Sequence, residues 1–187
     1  DSRKVEEGGL FFALRGQKID GHLFLREVAE KKASGAIVAS DYKGEDFGLS
    51  LLRIEDVRAA LQRLAQIAAS RRKEKRIAVT GSVGKTTVKE FIVALLQKRF
   101  RVGYTEGNFN SQVTFPLFWL NLTGEYDFLV VEMGMTHEGE IARLVEIAPP
   151  DIALITRIAP AHIGFFGDGL LGIARAKAEI FAHPRTY

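Results

Sequence analysis

The sequence predicts an α/β fold: a small α/β N-terminal domain at residues 1–72, followed by part of a second domain with a mostly parallel sheet at residues 73–187. Three observations support this. Short apolar runs alternate with segments of helical periodicity, as in parallel sheets covered by helices. The hydrophilic run Arg71–Arg76, called the charged run below, interrupts this alternation, and we interpret it as a solvated linker. A strand, a glycine-containing turn and a helix follow it directly.

Composition limits the class of protein. The 187 residues are 47% hydrophobic and 26% charged, which excludes intrinsic disorder. They include no cysteine, hence no disulfide or thiol nucleophile, and we expect a cytoplasmic protein. The net charge of +3 and the lack of an apolar stretch of about 18 residues favour neither a nucleic acid nor a membrane as partner, and we expect a monomer. The chain opens without Met and stops just after a helical pattern, which indicates an excised piece.

The N-terminal domain is predicted to contain three strands and two helices. Apolar runs with β-branched or aromatic residues indicate the strands, and wider spacing indicates the helices. In order, the elements are a strand at 10–14, a helix at 22–32, strands at 36–39 and 49–54, and a helix into the charged run. The apolar face of this last helix is predicted at Val57, Leu61, Leu64 and Ala68.

The second domain begins with a strand at 77–80, a glycine turn and a helix. Continuous apolar runs predict two more strands, at 128–131 and 152–155, buried on both faces of a parallel sheet. A crossover helix lies between these strands, and a last helix is predicted at 170–181. The first helix of the domain should bury one face, formed by Val88, Ile92 and Leu95.

The glycine turn predicts a phosphate-binding loop. Its glycines allow backbone N–H groups to converge at a helix N-terminus, where the helix dipole attracts anions, and the following lysine and threonine add a cation and a magnesium-binding hydroxyl. The usual spacing G-x-x-x-x-G-K-S/T is broken because Val79 stands at its first glycine. An ordinary strand-to-helix turn is the alternative. The predicted nucleotide-binding residues are Gly81, Ser82, Val83, Gly84, Lys85, Thr86 and Thr87.

Two further residues are candidate metal ligands because they follow predicted strands, at the edge where ligands of parallel sheets collect. Glu132 ends the strand at 128–131, and His162 lies in the loop after the strand at 152–155. A lone histidine is more often structural, but beside Glu132 a metal role gains weight. Thr86 would share the metal.

Lys177 is an unusual residue because it lies on the predicted apolar face of the last helix, with Ile173 and Phe181. Its alkyl stem could extend to solvent and leave the ammonium exposed. Alternatively, burial lowers its pKa, and the neutral amine takes up carbon dioxide to form a carbamate that binds metal.

Together these motifs resemble the Mur ligases, ATP-dependent amide-forming enzymes of peptidoglycan synthesis. The likeness covers almost the whole chain. The segment Thr80–Thr87 is similar to that family's shortened phosphate loop, Glu132 to its magnesium carboxylate, His162 to its metal-binding histidine, and Lys177 to its carbamylated lysine. Within the family, the N-terminal residues, Gly107–Asn110 and Glu132–Met135 most resemble the members that add D-alanyl-D-alanine to UDP-N-acetylmuramoyl-tripeptide.

The resemblance implies the front part of a P-loop ATPase domain preceded by a UDP-sugar-peptide-binding domain. It implies ATP and two magnesium ions as cofactors, and UDP-N-acetylmuramoyl-tripeptide and D-alanyl-D-alanine as substrates. The catalytic set would be Lys85, Glu132, His162, Lys177 and Asn108, the last orienting phosphate or metal-bound groups. The candidates for holding the UDP-sugar peptide are Ser2, Arg3, Asn110 and Ser111.

The sequence departs from the family at several positions, where the family more often has Asn for Arg157, Gly for Pro160, Glu for Gly164 and Asn for Ser111. Two other readings stay open. One is a folylpolyglutamate synthetase-like enzyme or another Mur-type amide-forming ligase. The other is a non-catalytic nucleotide-binding module.

We expect loss of function in Lys85→Ala and a mild effect in Lys89→Ala.

Overall fold

The computed structural model describes residues 1–16, 18–161, 163–184 and 186–187. These residues form two compact units, Asp1–Leu61 and Gln62–Tyr187. The division falls inside helix α2, Val57–Ser70. No helix among the described residues is long and apolar enough to cross a membrane.

The first unit contains a three-stranded parallel sheet in the order β1-β2-β3. All five residues of the central strand β2 are buried, because small and β-branched side chains there are covered on both faces. The strands are β1 (Leu10–Phe12), β2 (Gly35–Ala39) and β3 (Ser50–Ile54). The helices are 3-10 turns at Ser2–Lys4 and Gly21–Phe24 and α1 at Leu25–Glu30. The predicted helix at 22–32 is therefore part 3-10 and part α.

The second unit contains a four-stranded parallel sheet in the order β5-β6-β4-β7, which confirms the predicted α/β class. Its strands are β4 (Lys75–Thr80), β5 (Val102–Tyr104), β6 (Phe128–Glu132) and β7 (Ile152–Ile155). Its helices are α3 (Lys85–Leu96), α4 (Thr114–Asn121), α5 (Glu140–Ile147) and α6 (Leu170–Ala178), with 3-10 turns at Ile163–Phe165 and Glu179–Phe181. Because all strands are parallel, their carboxyl ends meet at one edge.

Alternate strand residues of this sheet belong to two apolar clusters. Leu129 and Val131 pack with Trp119 and the residues of α5 and α6, whereas Val130 packs with Val93 of α3. This alternation shows that helices cover both faces of the sheet.

The buried face of helix α3 differs from the predicted one. Lys89 and Val93 are buried, and Leu95 is 73% exposed. A similar shift occurs in α2, where Ala65 rather than Leu64 continues the buried stripe. In both helices the prediction is partly wrong, because some buried residues lie one position after the predicted ones. Apolar residues on neighbouring faces made the choice of the buried face ambiguous.

The charged run is only partly a solvated linker. Its last two residues lie in β4. The guanidinium of Arg72 lies 2.5 Å from Glu74 and donates to the carbonyl of Gly124 at 2.8 Å. Arg76 lies over the ring of Trp119, 5.0 Å from its centre. The connection after α2 is therefore anchored, while the domain boundary after residue 72 stays a prediction.

Candidate active site

The turn between β4 and α3 has a backbone that requires glycine at two positions. Gly84 precedes α3 with a φ of 86°. Gly81 has a φ of 151°, and a Cβ there would lie 1.9 Å from the hydroxyl oxygen of Thr156. Residues with a side chain rarely adopt these backbone conformations, so both glycines are needed for the shape of the loop.

The loop is tied to the segment that follows β7. The Ser82 N–H donates to the carbonyl of Arg157 at 2.7 Å, and the Ser82 hydroxyl donates to the carbonyl of Ala159 at 2.9 Å. The Thr156 hydroxyl donates to the carbonyl of Val83 at 2.7 Å. Since Arg157 contributes only its backbone to this contact, its departure from the family pattern leaves the contact intact.

Lys85 opens helix α3 and reaches back over the loop. Its ammonium donates to the carbonyl of Gly81 at 3.0 Å. The first N–H groups of a helix have no partner within the helix, and the dipole places partial positive charge beside them. The N-terminus of α3 and the Lys85 ammonium together favour an anion such as a phosphate.

Glu132 lies at the carboxyl end of β6, paired in register with Val79 of β4, and is 1% exposed. One carboxylate oxygen accepts from the Thr86 hydroxyl at 2.7 Å, and the other accepts from the Asn110 amide at 2.6 Å. The Glu132 N–H donates to the Thr105 hydroxyl oxygen at 3.0 Å. The predicted pair of Thr86 and Glu132 is therefore formed, with a hydroxyl and a carboxylate in contact at the start of α3.

This oxygen pair fits magnesium. The ion is usually held by one or two carboxylates together with water and phosphate oxygens rather than by a cage of protein side chains. Within the described residues there is no group of three or more His, Cys, Asp or Glu that could hold a metal. His162, the other predicted ligand, lies outside the described residues.

Lys177 is buried on α6, 4% exposed, with Ile173 fully buried on the same helix. Burial, and then the positive charge of Lys85, lowers the pKa of Lys177 from 10.5 to about 8. The predicted burial of this lysine is thus found, although Phe181 of the same predicted face is 45% exposed. Because the charge of Lys85 contributes to this pKa shift, Lys177 lies within electrostatic range of the lysine that opens α3.

Asn110, a predicted substrate residue, contacts Glu132, and its carbonyl also accepts from the Gly134 N–H at 2.8 Å. The Ser111 hydroxyl accepts from the Thr114 N–H at 3.2 Å, where α4 begins. Asn108 is exposed, and its carbonyl accepts from the Asn110 N–H at 2.7 Å. The loop before α4 therefore uses its polar groups to hold its own shape and to position Asn110 on Glu132.

The other two predicted substrate residues belong to the first unit. Ser2 is buried, and its carbonyl accepts from the Lys31 ammonium at 2.9 Å. Arg3 makes two hydrogen bonds to the Asp1 carboxylate, at 2.9 and 2.8 Å, and its side chain is 82% exposed. Their role in substrate binding stays a prediction.

Several residues of the site were not identified from the sequence. Thr105 and Thr156 act through partners far away in the chain, and no local pattern marks them. Glu179 accepts from the N–H groups of Gly139 at 2.8 Å and Ala142 at 2.9 Å, and so binds the N-terminus of α5. In the sequence, the only indication of a role for Glu179 is that it lies two residues after the predicted metal ligand Lys177.

A parallel sheet with a phosphate loop at the end of its central strand and a carboxylate at the end of the neighbouring strand defines a P-loop nucleotide-binding domain. Residues 79–187 match the family model of the Mur ligase middle domain. The chain belongs to the Mur ligase family.

Individual relatives are similar over nearly the whole chain. The UDP-N-acetylmuramoyl-tripeptide–D-alanyl-D-alanine ligase of Escherichia coli (strain K12) is 40% identical over 182 residues, 97% of this chain and 39% of that protein. The ligase of the same name from Bacillus subtilis (strain 168) is 37% identical over 180 residues, 96% of this chain and 39% of that protein.

Solved structures agree. A crystal structure of MurF from Acinetobacter baumannii has a TM-score of 0.89 at 37% identity, covering 98% of this chain and 40% of that one. MurF from Thermotoga maritima in complex with ADP has a TM-score of 0.85 at 35% identity, covering 96% of this chain and 41% of that one. The chain thus spans about 40% of the length of the relatives it matches.

Proposed function

We propose that this chain is the N-terminal part of a cytoplasmic, ATP-dependent ligase that adds D-alanyl-D-alanine to UDP-N-acetylmuramoyl-tripeptide. The observation that carries the proposal is the contact of Glu132 with Thr86 at the start of α3, directly after the phosphate loop. The names of relatives 34% to 40% identical over nearly all of this chain supply the reaction.

The first step transfers a phosphoryl group between two anions, ATP and the tripeptide carboxylate, so charge neutralisation and positioning are its main requirements. The loop N–H groups and Lys85 hold the phosphates of ATP. Thr86 and Glu132 would hold magnesium, which would supply further positive charge. The carboxylate of the tripeptide attacks the γ-phosphorus, and ADP leaves. The amine of the dipeptide then attacks the acyl carbon, loses a proton and expels phosphate.

We assign Lys177, as a carbamate, to a second magnesium ion, with His162 as the other ligand that the family resemblance implies. With a pKa of about 8, a sizeable fraction of the amine is neutral near physiological pH and can attack carbon dioxide with loss of a proton. The product is an anion with oxygen donors, which suit magnesium. In the 187-residue chain alone we expect partial or no modification. Carbon-13 NMR with labelled bicarbonate, comparing the full-length protein with Lys177→Ala, detects the carbamate directly.

The N-terminal domain, residues 1–72, would hold the UDP-sugar peptide. Arg3 has a planar guanidinium suited to a diphosphate, and Ser2 is the other candidate substrate residue of this domain. Asn110 and Ser111 are the candidate substrate residues of the second domain. Asn108 is exposed in the loop before α4, and we assign it to orienting phosphate or metal-bound groups.

The proposal is tested with the full-length protein in a phosphate-release assay. Release should require UDP-N-acetylmuramoyl-tripeptide and D-alanyl-D-alanine together, and Lys85→Ala should lower it by about 100-fold, because a charge-assisted contact to phosphate is lost. Lys98→Ala, at an exposed site beyond α3, is the matched control. Release that depends on folate and glutamate instead, or nucleotide binding without turnover, would refute the proposed reaction.

A further inference from the structure

Lys89 is a buried charged residue with no part in the chemistry described above. It lies on α3, four residues after Lys85, and its side chain is fully buried. An ammonium group taken out of water is unfavourable unless it is paired and hydrogen-bonded. Its partners therefore indicate why a lysine occupies this position.

The ammonium of Lys89 contacts three groups. It donates to the backbone carbonyl of Thr105, lies 3.0 Å from a carboxylate oxygen of Glu90, and lies 5.9 Å from the centre of the Tyr104 ring. Thr105 directly follows β5 and is fully buried. Lys89 thus fixes the end of β5 to the phosphate-loop helix.

Thr105 connects Lys89 to the metal carboxylate. Its N–H donates to the Val130 carbonyl at 3.2 Å, which continues the pairing of β5 with β6. Its hydroxyl oxygen accepts from the Glu132 N–H at 3.0 Å. The same residue is therefore held by Lys89 through its carbonyl and holds Glu132 through its side chain.

These contacts form a closed ring. Lys89 on α3 contacts Thr105, Thr105 contacts Glu132, and Glu132 contacts Thr86, which lies three residues before Lys89 on the same helix. A closed ring fixes the distance between the Thr86 hydroxyl and the Glu132 carboxylate better than any one of the three contacts alone.

We propose that Lys89 is a positioning residue: through Thr105 it sets Glu132 against the first turn of α3, and so controls the magnesium-dependent part of nucleotide binding. The inference rests on the nucleotide and magnesium site of the proposed function, but not on the ligase reaction. Replacement of Lys89 should leave the affinity for nucleotide without magnesium largely unchanged, because Lys85 and the loop N–H groups are not members of the ring.

The test measures binding of the non-hydrolysable analogue AMP-PNP to the full-length protein by calorimetry, with magnesium and with a chelator. Lys89→Met removes the ammonium at similar side-chain length. We expect it to reduce the gain in affinity from magnesium about tenfold and to change magnesium-free affinity less than about twofold. Lys98→Met, at an exposed lysine past α3, should match the wild type.

A double-mutant cycle with Glu132→Gln shows whether Lys89 acts through the carboxylate. We expect Lys89→Met to cause no further loss of the magnesium effect once Glu132 is changed. Thr105→Val is a second route to the same result, since it removes the hydroxyl oxygen that receives the Glu132 N–H and leaves the Lys89 partner carbonyl in place.

Equal losses of affinity with and without magnesium, additive losses in the double variant, or an unchanged magnesium effect in Thr105→Val would each overturn the inference. A wild-type protein whose AMP-PNP affinity is indifferent to magnesium would do the same. If the predicted pattern is found but phosphate release fails with the UDP substrate and dipeptide, the ligase proposal falls and the role of Lys89 stands.

Discussion

At the scale of single residues, the buried Lys177 is the clearest electrostatic feature of the second unit. Lys177 is 4% exposed and interacts with the charge of Lys85. Its folded-state pKa, about 8, lies below the value of 10.5 expected when unfolded. Between these values the unfolded chain binds more protons than the folded one, so stability rises with pH.

We therefore predict that the free energy of unfolding of the second unit increases between pH 8 and pH 10.5, and that Lys177→Met abolishes this increase. The contribution is about 3 kcal/mol, from 1.36 kcal/mol per pKa unit. Below pH 8 the variant should be more stable than the wild type by a similar amount.

Urea unfolding in carbonate-free buffer, followed by fluorescence of the single tryptophan, Trp119, measures this. Trp119 is 2% exposed in the core of the second unit, so its signal reports on that unit. Lys98→Met controls for removal of an exposed lysine. A wild-type stability that is flat from pH 8 to 10.5 would contradict the interaction.

Which site residues could be predicted depended on whether their role is local. Lys85, Thr86 and the glycines follow from a continuous motif, and Glu132 follows from the strand-end rule. Thr105 is different, because its function arises from pairing between strands far apart in sequence. For the same reason no local pattern indicated that Lys89 is buried. The proposed role of Lys89 predicts a larger effect of Lys89→Ala than the mild one expected from the sequence.

At the scale of elements, helix α5 shows how a distant side chain defines a helix start. The residue before it, Gly139, has no side chain, so the first turn has no side-chain cap of its own. Glu179, from the 3-10 turn after α6, accepts from the N–H groups of Gly139 and Ala142. A carboxylate at this end also interacts favourably with the helix dipole.

We predict that Glu179→Gln destabilises the second unit by about 1 kcal/mol, because a neutral amide is a weaker partner for the helix N-terminus. Urea unfolding followed by Trp119 fluorescence is the measurement. Glu138→Gln, an exposed carboxylate just before α5, is the matched control and should change stability little. Equal effects of the two variants would show that loss of negative charge, and not the contact with α5, is responsible.

The boundaries of elements were predictable where apolar runs were long. The strand predicted at 152–155 was correct, and the one at 128–131 is longer by one residue, Glu132. Strand β5 and helix α4 were not predicted. β5 has only three residues, and α4 is apolar all round and contains Pro116, so neither shows a clear periodicity.

At the scale of the whole molecule, the alternation of apolar runs and helical segments was sufficient for the fold class. It was not sufficient for the strand order β5-β6-β4-β7, which depends on which strands pair. The charged run led to the predicted domain boundary after residue 72, which stays a prediction, whereas the two compact units divide between Leu61 and Gln62. The side chains of that run, however, make contacts that composition does not reveal, since Arg72 is held by the carbonyls of Leu122 and Gly124.

This anchoring leads to a prediction about proteolysis. Cleavage requires an exposed segment that opens locally, and the connection between α2 and β4 contains two exposed basic residues, Arg71 and Lys73. We predict that limited trypsin treatment cuts first after one of them and releases a small N-terminal piece. Arg72→Gln should speed this cleavage several-fold, although it removes a trypsin site, because it frees the connection from Glu74 and Gly124.

Mass spectrometry of a digestion time course identifies the first cut and its rate. Lys98→Gln, which also removes one exposed basic residue but makes no change near the connection, should leave the rate at Arg71 and Lys73 unaltered. If Arg72→Gln is cut faster although it has one trypsin site fewer, local opening of the connection controls cleavage, and not the number of sites. A first cut within residues 1–70 or 77–187 would contradict the connection as the first cleavage site. Slower cleavage in Arg72→Gln would show that the Arg72 contacts do not limit opening of the connection.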